Sequence, residues 1–186
     1  FSILLSFFFE ITNPVILKSE AAAKEKLLRQ VISKDLYDND LSNDFIEILP
    51  NPYLNNKSNS KAYLAKKKNE IQAVVLETRA PDGYSGDIYI LVGISREGKI
   101  TGTRVIKHQE TPGLGDYIDI SKNSWIEIFK NTSLMLYKEK DWAVTKDRGI
   151  FDYIAGATIT PRAVIKAIHN ALIYFENNKQ EFGIHV

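Results

Sequence analysis

The chain has no cysteine in 186 residues. Disulfides, thiolate catalysis, cysteine-ligated zinc and iron–sulfur clusters are therefore excluded. It also lacks a surplus of charge: 24 Lys and Arg stand against 23 Asp and Glu, a net charge of +1. A nucleic-acid binder needs a basic surplus or patch, so that class is set aside. Methionine occurs once, at Met135, with nothing beside it to suggest a haem ligand. Long apolar runs are scarce. Phe1–Phe9, FSILLSFFF, carries no charge until Glu10. As helix it covers about half of the roughly twenty residues that a hydrocarbon core requires. It reads either as the last half of a transmembrane helix or as a buried or interfacial helix start. Four phenylalanines at a terminus are costly to leave in water, which favours the anchor. No small-residue cleavage pattern follows, which counts against a signal peptide.

What is present has a normal globular balance, 44 % apolar and 25 % charged. The length suits one domain, or one domain and an anchor. We divide it into the end of a truncated transmembrane anchor over residues 1–12, a connecting helix over 13–34 and a folded domain over 35–186. Pro14–Ile32 is rich in helix formers, with Leu17, Ala21, Lys24, Leu28 and Ile32 near one side. Asp35–Asn43 turns the chain. Asp38 and Asp40 lack the glycine and closing glutamate of a calcium loop, so no metal site is expected. Asn51–Ser60 is a polar loop. Ala62–Lys67 and Ile71–Thr78 read as a hairpin turned at Lys68-Asn69-Glu70. Ala80–Gly86 reads as a loop. Asp87–Ser95 alternates Ile88, Ile90, Val92 and Ile94 against Tyr89 and Leu91, turns at Arg96–Lys99 and returns as Ile100–Ile106. Such hairpins argue against a Rossmann alternation, and Gly83, Gly86 and Gly93 make no dinucleotide fingerprint. Ser124 reads as the cap of a helical turn with Trp125, Ile128 and Phe129 on one side. Leu134–Tyr137 and Trp142–Val144 read as short strands. The last helix spans Pro161–Asn177, with Pro161 in its first position and Thr160 as its cap.

Two stretches carry chemistry. His108–Gly115 reads HQETPGLG. Pro112-Gly113 is a turn pair and Gly115 a second flexible point. The loop folds back tightly and exposes backbone N–H groups that suit carbonyl or phosphate oxygens. Glu110 and Thr111 add polar contacts. No serine or cysteine nucleophile with a triad accompanies His108, so hydrolysis is not its role. Phe151–Thr160 reads FDYIAGATIT. Its small side chains let a ligand approach the backbone, and the helix start behind it favours a phosphate. Lys146 and Arg148, just ahead of it, are candidates to balance ligand charge.

Asp152, Ala155, Gly156, Ala157 and Thr158 resemble the flavinylation motif of the FMN-binding family, in which a flavin transferase joins FMN through its phosphate to the closing threonine. The resemblance implies covalent FMN on Thr158 and ties Asp152 to recognition by, or reaction with, the transferase. Ala155 departs from the broader motif, which often has Ser or Thr there. Gly83-Tyr84-Ser85-Gly86, its strand and Gly93-Ile94 resemble the G subunit of the Rnf electron-transport complex. HQETPGLG is similar to a loop shared by that protein and the C subunit of the sodium-pumping NADH:quinone reductase.

The resemblance runs over nearly the whole chain. It implies an α+β fold of the FMN-binding type, an antiparallel sheet packed by an N-terminal and a C-terminal helix. It implies a cofactor site made of Asp152, Ala155, Gly156, Ala157 and Thr158 with His108, Glu110, Thr111, Pro112, Gly113, Leu114 and Gly115, His108 being structural or flavin-tuning. The two stretches should lie against each other, with the phosphate near the start of the last helix. The implied function is a single-pass electron relay of the bacterial inner membrane, its domain on the periplasmic side. It would work with other Rnf subunits that couple ferredoxin and NAD redox exchange to ion movement. Two alternatives stay open: a flavin-free structural subunit, and a membrane-anchored domain that binds a solute or lipid.

Overall fold

The computed structural model describes residues 12–13, 19 and 21–185. The anchor expected at Phe1–Phe9 lies outside the described residues, as does most of the first half of the connecting helix. The described part of that helix is α1, residues 21–31. Five strands follow: β1 Phe45–Ile48, β2 Ser60–Lys67, β3 Glu70–Gly83, β4 Gly86–Ser95 and β5 Ile100–Lys107. They pair in sequence order, each antiparallel to the next. The chain ends on α2, Ile159–Asn177.

Alternation along the strands gives the sheet two apolar faces. Leu64, Val74, Leu76, Ile88, Ile90, Val92 and Ile94 join the larger core, together with the buried face of α2. Tyr63, Ala65, Ala73, Val75 and Leu91 point the other way, and Leu28, Val31 and Ile32 at the end of α1 cover them. The α+β sandwich expected from the sequence is therefore present. The β2–β3 turn at Lys68 and Asn69, φ 52° and 66°, is the tight two-residue kind.

The docking of α1 depends on two glycines paired across the sheet. Gly93 stands opposite Gly102. A Cβ on Gly102 would lie 2.9 Å from the Val31 backbone, and one on Gly93 2.7 Å from the Val31 carbonyl oxygen. The end of α1 sits in this notch, where Thr101 Oγ1 donates to the Val31 carbonyl at 2.7 Å. That bond satisfies one carbonyl that a helix end leaves open.

Four expectations need correction. Ala80–Gly86 is not all loop. β3 runs on to Gly83, and only Tyr84 and Ser85 turn the chain, because Ala80 is buried against the core and pairs with Ile88. An irregularity between Ala80 and Gly83 accommodates Pro81. β1 is a strand beyond those expected. Leu134–Tyr137 and Trp142–Val144 are not strands. The first folds into turns, with the Leu136 and Tyr137 N–H groups both on the Ser133 carbonyl. The second makes only a Val144–Phe151 bridge. The cap of the 3₁₀ segment Ser124–Phe129 is Asn123, whose side chain accepts from the Trp125 N–H at 2.8 Å. Among the described residues no helix is long and apolar enough to cross a membrane, and no cluster of acidic or histidine side chains could hold a metal ion.

Candidate functional site

Three segments far apart in sequence meet at the start of α2. They are the β3–β4 turn, the loop 108–115 and the stretch 156–160. Between them lies a cleft of about 340 Å³, within the roughly 300–1,000 Å³ typical of small-molecule sites. Glu110, Thr111, Leu114 and Gly115 form one wall, Gly156, Ala157 and Thr158 another. The two stretches singled out in the sequence are thus neighbours in space.

The loop 108–115 is tight because Thr111 caps its turn: its carbonyl accepts from the N–H groups of Leu114 and Gly115, each at 3.1 Å. Gly113, at φ 75°, donates its N–H to Asp116 at 2.8 Å. Pro112 and Gly113 shape this turn but do not line the cleft. His108 does not line it either. Its Nδ1 accepts the Glu110 N–H at 3.1 Å, and its Nε2 faces Asp119 at 3.9 Å. Glu110 lies under the cleft wall, 4 % exposed. Its carboxylate accepts the Ser85 N–H at 3.0 Å and the Thr160 hydroxyl.

The second stretch enters from a buried aromatic cluster, in which Phe151 lies 4.9 Å from Phe129 and 5.2 Å from Trp142 between ring centres. Trp125 is core, as expected, and its Nε1 donates to the Asp152 carbonyl at 2.6 Å. The Asp152 residue itself is exposed and, with Ala155, lies outside the cleft. Gly156 turns the chain at φ 94°. Tyr117 donates its hydroxyl to the Ala157 carbonyl at 3.2 Å. Burial pushes that phenol up to about 12, so it remains a donor.

The cap of α2 is not Thr160. The helix begins at Ile159, and Thr158 occupies the cap position without a side-chain cap bond. Thr160 is inside the helix, 2 % exposed, with its hydroxyl committed to Glu110. Thr158 lines the cleft, and its hydroxyl has no hydrogen-bond partner among the described residues. Helix starts leave N–H groups without helical partners, and the first residues of α2, Ile159 and Thr160, line this cleft. Among the described residues no lysine or arginine lines the cleft; Lys146 and Arg148 stand apart from it. Arg162, in the first turn, is held by Asp147 through two bonds of 2.6 and 2.7 Å. Tyr84, Ile159 and Thr160 are lining residues missing from the expected set. The short Gly83-to-Gly86 turn is the sequence signal for Tyr84.

The FMN-binding domain family matches residues 83–173, which takes in all three segments and most of α2. The G subunit of the ion-translocating oxidoreductase complex of Yersinia pestis is 44 % identical over 166 residues, covering 89 % of this chain and 79 % of the relative. The same protein of Shewanella baltica (strain OS223) is 43 % identical over 156 residues, 84 % and 74 % of the two chains. That of Pseudomonas aeruginosa (strain UCBPP-PA14) is 39 % identical over 171 residues, 92 % and 80 %. The chain belongs to the G-subunit family of ion-translocating oxidoreductase complexes.

The cleft of this G-subunit chain fits a flavin nucleotide on its own chemistry. It offers an uncommitted hydroxyl, small side chains beside a helix start, and the apolar side chains of Tyr84, Leu114 and Ile159 along its rim. Thr158 and the start of α2 would hold the phosphate, and the rim would cover the ring.

Proposed function

We propose that this chain is a covalent flavin carrier, bearing FMN as a phosphoester on Thr158. The observation that carries the reading is Thr158 on the wall of the cleft, its hydroxyl without a hydrogen-bond partner among the described residues. A phosphodiester keeps one negative charge, which a helix start accommodates without a lysine or arginine. A flavin accepts electrons singly or in pairs; the protein places it and sets its surroundings. The role proposed is a relay within an Rnf-type ion-translocating complex, from a single-pass anchor in the inner membrane with this domain on the periplasmic side. Asp152, exposed at the head of the motif, is the proposed contact of the flavin transferase.

Attachment is a phosphoryl transfer. Thr158 Oγ1 bonds to the phosphorus of an activated flavin dinucleotide, the phosphoanhydride breaks, AMP leaves and the hydroxyl proton departs to a base of the transferase. The chain expressed with such a transferase should gain the mass of one esterified FMN. Thr158→Ala should gain none while melting within a few degrees of wild type, because the hydroxyl makes no cap bond. A Thr158→Ala chain that still carries covalent FMN would move the attachment elsewhere. An unloaded wild type would turn the reading toward a flavin-free subunit.

A further inference from the structure

Glu110 is a buried carboxylate with no ion-pair partner among the described residues. Burial of such a group is costly unless its oxygens are bonded. Both are: one takes the Ser85 N–H at 3.0 Å, the other the Thr160 hydroxyl, partners 25 and 50 positions away in sequence. Room for the carboxylate comes from missing side chains. A Cβ on Gly115 would lie 2.6 Å from one carboxylate oxygen, and one on Gly83 2.9 Å from the other. One side chain therefore joins the β3–β4 turn, its own loop and the first turn of α2, two residues beyond Thr158.

We infer that Glu110 is a positioning residue that holds the Thr158 segment in register with the loop 108–115, and that this brace sets how fast Thr158 receives FMN. The inference rests on the reading that Thr158 is the attachment point. Besides the packing of Tyr153 and Ala157 on the core, the stretch between Phe151 and α2 has few other hydrogen bonds: the Trp125 bond to Asp152, the Tyr117 bond to Ala157 and the Ala157–Ile154 turn. Misplacing a nucleophile by about 1 Å costs on the order of a hundredfold in rate. Glu110 forms no bond in the transfer itself, so its contribution is geometric.

The test is the rate of covalent loading of the full chain by the transferase with flavin dinucleotide, followed by intact mass. Glu110→Gln keeps both bonds, since its amide oxygen accepts from Ser85 and its N–H donates to the Thr160 oxygen. It should load within about twofold of wild type, while Glu110→Ala should be slower by about tenfold or more. Thr160→Val, which keeps the shape and removes the hydroxyl, should also slow loading, and Thr160→Ser should restore it. If Glu110→Ala does not fold, the Thr160 pair decides. Val75→Ala, buried on the opposite face of the sheet, destabilises the chain without touching the brace and should load normally. Wild-type rates in folded Glu110→Ala or Thr160→Val overturn the inference. So does an equal slowing in Val75→Ala, or a Gln variant as slow as Ala. A wild type that takes no flavin overturns instead the reading beneath it.

Discussion

Two charged side chains near the start of α2 are handled in opposite ways. Glu110 is buried and held by neutral donors. Asp147 is exposed and held by the Arg162 guanidinium through two bonds. The hydrogen bonds from Arg162 keep the Asp147 carboxyl below its ordinary range. A carboxyl depressed in the folded state stabilises at pH above its unfolded value and loses that contribution as pH falls through the folded one. Arg162→Ala should return Asp147 to the ordinary carboxylate range in an NMR titration. It should also raise hydrogen exchange at the start of α2 at neutral pH and remove the part of its acid dependence that Asp147 supplies. An unchanged titration would mean that the pair does not persist in solution. The same few residues show where sequence reading reaches its limit. Small side chains before Pro161 point to the right helix start and to Thr158. Thr160 reads wrongly as the cap, because a threonine before proline fits that role locally. Its actual partner, Glu110, lies 50 positions away and leaves no local trace.

Elements are legible where periodicity lasts long enough to be seen. The alternation Ile88, Ile90, Val92, Ile94 identifies β4 and its inward face, and α2 shows its stripe from Ala163 to Phe175. β1 is only four residues long, too short for a period to register. Proline and two glycines disguise the end of β3. Leu134–Tyr137 has strand-like composition, yet Ser133 binds the following N–H groups and Met135 stays 92 % exposed. Gly93 and Gly102 look like ordinary strand glycines, but they are the seat of α1. Gly102→Ala places a methyl group against the Val31 backbone, which cannot move aside as a flexible side chain would. Such overpacking costs about 1–3 kcal/mol. Chemical denaturation should show that loss, and hydrogen exchange should rise over residues 21–31 more than in β3 or β4. Covalent loading should be unaffected, because α1 lies on the face away from α2. Unchanged protection of α1 would show that the notch is not what seats it.

Among the described residues, exposed apolar side chains such as Leu49, Met135 and Leu136 are spread over the surface, and one group of them borders the cleft. Tyr84, Leu114 and Ile159, 68 %, 51 % and 46 % exposed, line its walls. Ile154, 42 % exposed, sits beside Leu114 in the adjoining depression. Scattered apolar residues are ordinary on a protein surface, whereas a contiguous group marks a place that something covers. A flavin tethered at Thr158 has a planar, largely apolar ring that would cover these side chains without a second protein. Loading should therefore lower the binding of an apolar fluorescent dye and raise the melting temperature, since burying apolar area contributes roughly 25 cal/mol per Å². Thr158→Ala, treated with the same transferase, should show neither change. Leu114→Ser should lower dye binding in the unloaded chain and reduce the thermal gain on loading. If loaded and unloaded protein bind the dye equally, the ring does not rest on this rim. Tyr84, Leu114 and Ile159 would then be left for another protein of the complex to cover, and the tether at Thr158 would hold the flavin out toward that partner instead of against its own domain.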